Sequence, residues 1–499
     1  MSRSIRDHLF DALAAAACVL ALVAALRTVH GLEWPYDGDH YRDVAQAQIA
    51  RDGHPLSDPF YAGEWIWYNP LVPWLVAAGS AAFRMTPSAF HVRGGPWLNL
   101  LAPIGFYLLC RRLAGAPAAF AALVIFLFFN CRTDPALTSA TYSSWLFVAT
   151  FAQGLFFLTA LVMVDAGDRG GRQNSVRAAA IGFLAGLTFL AHTAPALVLG
   201  AIAIVLLRPR SLAIAGIVAL LIASPFVYSI LVHYHLHVVN DAPMAWRWLP
   251  VTVGGFPSTL LSNAVLIGAG VAGAFILRQR AVSAWLAVSL ILMAAGMARD
   301  VWPSLPAIVP AFHFWRYAMA ALTLLAGVTA WWVCQKASPR YATAVLVVAA
   351  SVAVGWYWPR YRSRFDFVYG EGIARQRDPH HASVTAFLHK SVPADAVVVG
   401  SRGASLEIIG PAGRHVVAVN PTWSNPYIDN AGRVRDRDAM LEALRTHNHE
   451  RIRVLAGAYY VTHVVGVGAE ECGAMAGPEL QLLYAFGDVC VSRLAALRQ

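Results

Sequence analysis

Charged side chains are scarce in this sequence of 499 residues: Asp, Glu, Lys and Arg together make up only 13%. Soluble domains carry about 25%, so much of this protein's surface must face something other than water. Hydrophobic residues reach 58%, and the net charge is +10. In a soluble protein that charge would suggest nucleic-acid binding, but here it indicates basic loops on the cytoplasmic side of a membrane. We therefore expect a protein embedded in a lipid bilayer, with no nucleic-acid partner.

Several cofactor and metal motifs are also missing. The six cysteines show no CxxC pair and no Cys/His metal spacing, and the chain has no GxGxxG after a strand, no P-loop and no internal repeat. Cys18, Cys110 and Cys334 fall in apolar runs, which is typical of small core residues. Cys472 and Cys490 lie near the C-terminus, where they would pair only in an oxidising compartment. The sequence leaves that pairing open.

Long apolar runs are abundant. The first, 9–29, follows a basic N-terminus and is too long for a signal-peptide core, so it predicts a retained helix with its N-terminus in the cytoplasm. A helix that crosses a bilayer needs roughly 20 apolar residues. On that basis we predict a mostly α fold, a polytopic transmembrane bundle of about eleven helices. The predicted spans are 9–29, 94–111, 115–131, 143–164, 178–192, 194–208, 212–232, 258–277, 281–298, 314–335 and 341–358.

The direction of these spans depends on the short apolar segment 69–84. If it crossed the membrane, Arg111 and Arg112 would lie outside. If it lies at the interface, they and four later basic sites fall inside, as the positive-inside rule favours. An odd number of spans then places the C-terminus outside the cytoplasm. For a bacterial inner (plasma) membrane protein, the first outer loop, 30–93, and the tail would be periplasmic.

The tail from residue 359 changes character. Strand-like runs occur at 396–400, 415–419 and 462–468, with helical stretches at 382–390 and 436–447. Alternation of this kind predicts a small α/β domain. The expected organisation is a transmembrane domain, 1–358, followed by an extracytoplasmic α/β domain, 359–499.

Two carboxylates open the first outer loop. Asp37 and Asp39 flank a glycine directly after the first helix and precede a helical stretch, 41–52. One carboxylate can act as general base toward an acceptor hydroxyl or amine. Together they can hold a divalent cation, Mg²⁺ or Mn²⁺, through oxygen ligands. They can also be loop charges that cap the following helix.

The loop resembles the first periplasmic loop of the C-type (GT-C) glycosyltransferase superfamily. The similarity is to lipid-A aminoarabinose transferases and protein O-mannosyltransferases, and it rests on three stretches: Asp37-Gly-Asp39-His-Tyr41, Arg51-Asp-Gly53 and Tyr68-Asn-Pro70-Leu71. The double proline typical of the last stretch is missing. A second pattern, Gly182-x-x-x-Gly186-Leu187 followed by Phe189-Leu190-Ala-His192, also resembles these families, with histidine in place of their usual lysine.

The resemblance implies an enzyme that moves a hexose or pentose from a polyprenyl-phosphate-linked donor to an acceptor outside the cytoplasm. It implies catalytic roles for Asp37 or Asp39 and for Asp134, which sits where these families often carry a second acid. The acceptor is unknown. The alternative is a membrane transporter or lipid flippase with a partner-binding tail. Transporters often show inverted repeats and charges at mid-membrane, whereas here there is no repeat and the acids cluster in outer loops.

Six further residues are candidates for substrate binding. Arginine binds phosphate through two parallel N–H groups, and protonated histidine binds it by charge. Three residues of the membrane region are therefore candidates for contacting the donor phosphate: His192, His313 and Arg316. The alternatives are an interhelical histidine for His192 and a snorkelling arginine in an aromatic belt for Arg316. The remaining three candidates lie in the first outer loop: Tyr41, Glu64 and Tyr68.

Overall fold

The computed structural model describes residues 3–130, 139–168, 175–306, 309–376, 379–475 and 480–494. The chain divides into two compact units, neither of them continuous in sequence. The helical unit comprises Met1–His30, Gly94–Ser224 and Ala245–Tyr369. The sheet unit comprises Gly31–Arg93, Pro225–Met244 and Gly370–Gln499.

Helices dominate the chain up to residue 376. In order they are α1 (Arg3–Val29), α2 (Gly38–Arg51), α3 (Leu71–Ala82), α4 (Pro87–Asn99), α5 (Leu101–Ala114), α6 (Ala116–Val124), α7 (Val148–Asp168), α8 (Ser175–Ala191), α9 (Thr193–Leu206), α10 (Pro209–Val227), α11 (Phe256–Ser262), α12 (Ala264–Leu277), α13 (Arg280–Ala298), α14 (Ala311–Ala337) and α15 (Ala342–Gln376). Short π-helical turns, Ile125–Phe129 and Tyr228–His233, extend α6 and α10.

Among the described residues, six helices are long and apolar enough to cross a membrane: α1, α7, α10, α13, α14 and α15. The pair α11 and α12 makes a seventh if it counts as one span, although it bends by 74°. The protein is therefore a polytopic membrane protein. Helices α6, α8 and α9 are apolar but shorter, so the predicted total of eleven spans stays a prediction. Helix α3 has 12 residues, about 18 Å, which is too short for a hydrocarbon core of about 30 Å.

Helix α14 lies at the centre of the helical unit. It packs against α6, α12 and α13. Of the residues in its most apolar 18-residue stretch, 72% are buried. For α15 the buried share is only 17%. Exposed side chains such as Val348, Val352 and Trp356 on α15 are apolar nonetheless. An apolar surface that is not covered by protein is what a lipid-facing helix presents.

Glycines allow α8 to approach α10 closely. A Cβ added at Gly182 would lie 2.4 Å from the carbonyl oxygen of Ala215, and one at Gly186 would lie 2.8 Å from Cβ of Ile222. Small residues spaced by four let membrane helices pack backbone against backbone. The Gly182-x-x-x-Gly186 pattern therefore has a packing role in this structure.

The sheet unit contains a five-stranded mixed sheet. Its elements are α16 (Pro379–Ser391), β1 (Val397–Gly400), α17 (Arg402–Ala404), β2 (His415–Val416), α18 (Asn430–Arg445), α19 (His449–Tyr459), β3 (Val461–Val467), α20 (Ala469–Ala474), β4 (Leu480–Phe486) and β5 (Val489–Leu494). The strand order is β2-β1-β3-β5-β4. Strand β1 pairs parallel with β2 and β3, and β5 pairs antiparallel with β3 and β4.

The predicted strand runs 396–400 and 462–468 are confirmed as β1 and β3, whereas 415–419 is a strand only at His415–Val416. Both predicted helices of this region are confirmed. The sequence did not predict β4 and β5, which form a hairpin around Gly487. That glycine has φ of +61°, a left-handed conformation that costs glycine little. The sequence of β4 is almost entirely apolar, but most of its side chains are exposed, so this edge strand went unpredicted despite its apolar run.

Cys472 and Cys490 form a disulfide in the sheet unit, with Cα atoms 5.7 Å apart. Cys472 lies in α20, and Cys490 lies in β5 opposite Gly466 of β3. The bond therefore ties α20 to the sheet. The other described cysteines, Cys18, Cys110 and Cys334, are free and buried, as the apolar runs around them predicted.

Candidate active site

The two loop carboxylates lie at the start of α2 in the sheet unit. Asp37 is the N-cap of this helix, with extended backbone (φ −108°, ψ 148°), and its Oδ1 accepts a hydrogen bond from the backbone N–H of Asp39 at 2.9 Å. A carboxylate at this position satisfies an amide that the helix leaves without a partner and complements the helix dipole. The capping interpretation is thus correct for Asp37. The capping hydrogen bond also holds Asp37 close to Asp39.

Asp39 is held by two donors on one oxygen. Its Oδ1 accepts from Nη1 of Arg42 at 3.0 Å and from the indole Nε1 of Trp423 at 3.1 Å. No hydrogen bond to its Oδ2 is present among the described residues. The side chain of Asp39 is 28% exposed. One carboxylate oxygen is therefore fixed by the protein, and the other can accept a proton from a bound molecule.

Arg42 connects three residues around this pair. It is 5% exposed, and its Nε and Nη2 both donate to Oδ1 of Asp43, at 3.2 and 3.0 Å. Its guanidinium carbon lies 3.5 Å from the ring centroid of Tyr68, a cation–π contact. Burial disfavours the charged guanidinium, but Tyr68, Asp43 and Asp39 together raise the pKa of Arg42 above its usual value. The arginine therefore stays charged beside Asp39.

The electrostatic surroundings affect Asp39 in opposite directions. Burial raises the pKa of Asp39, the charge of Arg42 opposes this, and repulsion from Asp37 adds to it, so the net direction is upward. The neighbouring His40 is fully buried, and burial together with repulsion from Arg42 lowers its pKa to about 3. Its imidazole is therefore neutral near pH 7. A carboxylate with a raised pKa is better matched to general-base chemistry than an ordinary exposed one.

The predicted divalent cation has limited access to the carboxylate pair. Oδ1 of Asp39 already accepts from a guanidinium and an indole N–H, so a cation on Asp39 would have to bind Oδ2. Across the described parts of the chain, no three His, Cys, Asp or Glu side chains come together as metal ligands. A cation held by Asp37 and Asp39 stays a prediction.

A buried polar network attaches residues 419–430 to the first outer loop within the sheet unit. The hydroxyl of Tyr61 is 2.8 Å from Oγ of Ser424 and donates to Oδ1 of Asn430 at 2.9 Å. Nδ2 of Asn425 donates to Oδ2 of Asp58 at 2.9 Å. We call residues 419–430 the anchor loop. It carries Trp423, so these buried bonds fix the side chain that contacts Asp39.

Asp58 is completely buried at the base of this network. Its Oδ1 accepts from the backbone N–H groups of Phe60 and Tyr61 at 2.7 and 3.0 Å. Burial nevertheless raises the pKa of Asp58 to about 7, against these hydrogen bonds and that of Asn425. Asp58 therefore takes up a proton on folding at mildly acidic pH.

The other predicted residues of the first outer loop lie in different surroundings. Tyr41 is 3% exposed and packs in the apolar core of the sheet unit, stacked on Trp34. Glu64 is half-buried and accepts through Oε2 a hydrogen bond from the hydroxyl of Tyr234 at 3.1 Å. The ring of Tyr68 lies against the guanidinium of Arg42, which in turn binds Asp39. Of the three, Tyr68 is the one that the structure brings to the carboxylate pair.

The candidates for phosphate binding form a second cluster, in the helical unit. His192 caps α9, its Nδ1 accepting from the N–H of Ala194 at 3.1 Å, and its ring centroid lies 4.4 Å from that of His313. One turn further along α14, Arg316 is 1% exposed and donates to Oγ1 of Thr150 at 3.3 Å. The alternative of a snorkelling arginine is wrong, because Arg316 is buried in the bundle. Ionisable residues inside membrane bundles are costly and usually functional.

Asp134, the third predicted acid, lies in 131–138, outside the described residues, and its role stays a prediction. Four residues of the site were not predicted: Arg42, Asp43, Asp58 and Trp423. Arg42 had a signal, since it follows Asp39 by three positions on a helix and so shares its face. The contact of Trp423 with Asp39 had no signal, because the two residues are 384 positions apart in sequence.

No family model matches the sequence, and no curated protein matches it either. Solved structures do match. ArnT from Cupriavidus metallidurans, bound to undecaprenyl phosphate, superposes with a TM-score of 0.61 at 14% identity, covering 97% of this chain and 98% of that one. The arabinofuranosyltransferase AftD from Mycobacteria gives 0.57 at 12% identity, over 100% of this chain and 40% of that one.

An oligosaccharyltransferase from Archaeoglobus fulgidus, tethered to an acceptor peptide, gives a TM-score of 0.52 at 12% identity, covering 91% of this chain and 68% of that one. Identities this low show a common fold and leave the reaction to be argued from the site. All three are GT-C membrane glycosyltransferases. The fold implied by the resemblance of the first outer loop is therefore confirmed: this chain has the GT-C fold.

Proposed function

We propose that this protein is a membrane glycosyltransferase that moves a hexose or pentose from a polyprenyl-phosphate-linked donor to an acceptor on the extracytoplasmic side. The observation that carries the proposal is the carboxylate pair, Asp37 and Asp39, fixed beside a buried arginine in a chain with the GT-C fold. The ArnT structure with undecaprenyl phosphate and the archaeal oligosaccharyltransferase structure with dolichol phosphate support a donor of this class.

In the proposed reaction, Oδ2 of Asp39 or a carboxylate oxygen of Asp37 accepts the proton of an acceptor hydroxyl or amine. The acceptor atom then bonds to the anomeric carbon while the bond from that carbon to the phosphate oxygen breaks. The polyprenyl phosphate leaves with the bonding electron pair, and the anomeric configuration inverts. Arg42 stabilises the ionised form of Asp39 before the proton arrives. Asp134 is the second proposed acid, and Glu64 and Tyr68 are the proposed substrate contacts of the first outer loop. Tyr41 packs in the apolar core of the sheet unit and is not proposed to touch the substrate.

We assign the donor phosphate to Arg316, His192 and His313. A guanidinium fork matches phosphate oxygens in geometry and charge, and the two imidazoles lie close to it within the helical unit. Positive charge at this point stabilises the phosphate as negative charge develops on it during departure.

We propose that the N-terminus faces the cytoplasm of a bacterial inner membrane and that the first outer loop and the tail face the periplasm. The disulfide between Cys472 and Cys490 supports this, since disulfides persist in the periplasm and are rare in the cytosol. The basic loops that fixed the predicted direction of the spans support the same orientation. The count of eleven spans belongs to this proposal.

The proposed function is tested by substituting Asp37→Asn and Asp39→Asn in purified protein and measuring sugar transfer from polyprenyl-phosphoryl sugars. Asn caps a helix as well as Asp does, so Asp37→Asn removes the charge and keeps the cap. Loss of a general base costs about 10²- to 10⁴-fold in kcat, and we expect a loss in that range from the variant that lacks the base. The double variant should be inactive.

The matched control is Asp436→Asn. Asp436 lies on α18 outside the anchor loop, where its Oδ2 accepts a hydrogen bond from the hydroxyl of Tyr459 at 2.6 Å, so it tests the same chemical change elsewhere in the sheet unit. It should retain wild-type transfer. Full activity in the Asp37, Asp39 and double variants would refute the assigned chemistry.

Arg316→Lys tests the phosphate contact. Lysine keeps the positive charge and loses the bidentate fork, so the KM for the lipid donor should rise about tenfold while the acceptor KM stays constant. Arg210→Lys, on the exposed start of α10, is the control in the same unit. A donor KM equal in both variants would exclude Arg316 as the phosphate ligand.

A further inference from the structure

We propose that Trp423 is a positioning residue for Asp39, delivered to the start of α2 by the anchor loop, and that Gly38 is required to admit its indole ring. This inference rests on the proposed function, in which the Asp37–Asp39 pair performs the chemistry. It assigns to the C-terminal part of the chain a direct role in preparing a carboxylate near the N-terminal end.

The indole of Trp423 makes two contacts at the start of α2. Its Nε1 donates to Oδ1 of Asp39 at 3.1 Å. Its six-membered ring lies against the backbone of Gly38, where an added Cβ would come within 2.3 Å of Cζ2. A rigid ring at that distance must move before any side chain can be accommodated. The glycine between the two aspartates is therefore explained by the space that the indole occupies.

A second donor on Oδ1 changes what Asp39 can do. The χ2 torsion of Asp is broad and roughly two-fold, so one hydrogen bond from Arg42 leaves the carboxylate free to exchange its oxygens. Trp423 donates to the same oxygen from the other chain segment, and the two donors together fix which oxygen is bound. Oδ2 is then consistently the oxygen presented to a substrate.

The anchor loop is rigid enough for this role. Ser424 and Asn425, which follow Trp423 directly, are both fully buried, and they bond to Tyr61 and Asp58 of the first outer loop. Tyr427 stacks on Tyr234 with ring centroids 4.6 Å apart and planes 16° apart. Side chains locked by packing and buried hydrogen bonds position a reactive group better than mobile ones.

The first test is Trp423→Phe, which keeps an aromatic ring and removes the N–H. A hydrogen bond to a charged group is worth enough to change a rate about 10- to 100-fold, so kcat should fall by that factor while the KM values for donor and acceptor stay within twofold. The matched control is Trp74→Phe. Trp74 donates its Nε1 to the backbone carbonyl of Pro55 at 3.0 Å, an equivalent bond that does not involve the carboxylate pair.

The Trp74→Phe variant should keep wild-type kcat. Equal kcat in the two variants would overturn the proposal. So would a loss in Trp423→Phe that disappears when both proteins are assayed well below their unfolding midpoints, because that loss would reflect an unstable anchor loop.

The second test is a double-mutant cycle between Gly38→Ala and Trp423→Ala. Each single variant should lower kcat at least tenfold. The methyl group of Gly38→Ala displaces the indole from Asp39, and Trp423→Ala removes the indole. The double variant should be no worse than Trp423→Ala alone. Multiplicative losses would show that Gly38 acts independently of Trp423 and would overturn the steric part of the proposal.

The contact can be judged even if the wild-type protein transfers no sugar, which would refute the proposed function. Unfolding midpoints of Trp423→Phe, Asp39→Asn and the double variant then report the coupling directly. Residues in contact give non-additive changes, and we expect the double variant to unfold at nearly the same temperature as the less stable single variant. Additive shifts would overturn the positioning role.

Discussion

Arg42 in the sheet unit and Arg316 in the helical unit are both almost completely buried, at 5% and 1% exposure, but their surroundings differ. Arg42 lies 3.0 Å from carboxylate oxygens of Asp39 and of Asp43. Arg316 donates to the hydroxyl of Thr150, and His313, one turn away on α14, has its ring centroid 4.4 Å from that of His192. The sheet unit thus surrounds its buried arginine with acids from the same helix and is organised before any substrate arrives. In the helical unit, the proposed partner of Arg316 is the donor phosphate.

The largest expected effect comes from removing the buried arginine of the sheet unit. Arg42→Met leaves Asp43, which is 1% exposed, without its guanidinium partner, and removing one member of a buried pair costs about 3–5 kcal/mol. Arg316→Met should cost less than Arg42→Met in the free energy of unfolding, because an apolar side chain replaces a charge in a membrane helix, and it should weaken donor binding.

Denaturant unfolding of both variants, with donor titration, measures the contrast. If Arg316→Met proved as unstable as Arg42→Met, the two arginines would have the same structural role and the comparison would fail.

The disulfide should give the next largest effect, and only in the sheet unit. It closes a loop with a sequence separation of 18, and loops of this length correspond to about 3 kcal/mol. Replacing both Cys472 and Cys490 with Ala should lower the unfolding midpoint, and a reductant should bring the wild-type protein to the same value. The reductant should leave the double variant unchanged.

In intact cells, resistance of the two wild-type cysteines to alkylation before reduction checks the bond in its own compartment. Free thiols there would place this part of the chain in a reducing environment and refute the proposed orientation.

Packing of the helical unit predicts a smaller effect. Gly182→Ala puts a methyl group 2.4 Å from the backbone oxygen of Ala215, and overpacking of this kind costs about 1–3 kcal/mol. Gly200→Ala, on the neighbouring α9, meets nothing within 4 Å and should be neutral or stabilising by about 0.5–1 kcal/mol. Thermal unfolding in one detergent measures both. Equal midpoints would mean that α8 and α10 are not in close contact.

The last expected effect, small over any single pH unit, is the pH dependence contributed by Asp58. Its pKa is raised to about 7 in the folded protein, above about 3.9 for an ordinary Asp. Folding therefore takes up a proton between these values, and the stability is fully present below about pH 4 and is lost as pH rises through 7, at up to about 1.4 kcal/mol per pH unit. Unfolding midpoints from pH 4 to 8 should show this slope, and Asp58→Asn should flatten it. An unchanged slope in the variant would assign the titration to another group.

Much of the architecture was predictable because the bilayer imposes simple rules on sequence. The predicted span 9–29 corresponds to α1, 143–164 to α7, and 314–335 to α14. The helix predicted at 41–52 is α2, which begins three residues earlier because Asp37 caps it. The hairpin of β4 and β5 was not predicted by the same rules, because hydrophobic length identifies helices that cross a bilayer and does not identify strands of six or seven residues.

The candidate site was predictable only where its residues are neighbours in sequence. Asp37 and Asp39 were recognisable from their position after the first helix and from the residues around them. Asp58 and Trp423 were not, because each acquires its role from a partner hundreds of positions away: Asn425 for Asp58, and Asp39 for Trp423. Local spacing carries no information about such pairs.

The sequence by itself determined that this chain lies in a membrane, has a small α/β region near its end, and places two acids directly after its first helix. Hydrophobic length and charge bias are local properties, and the bilayer acts on them directly. Only the tertiary structure decided that Arg42 and Trp423 hold one oxygen of Asp39 and that Arg316 is buried near two histidines. Burial and hydrogen-bond geometry depend on which distant segments the fold brings together, and no short stretch of sequence contains that information.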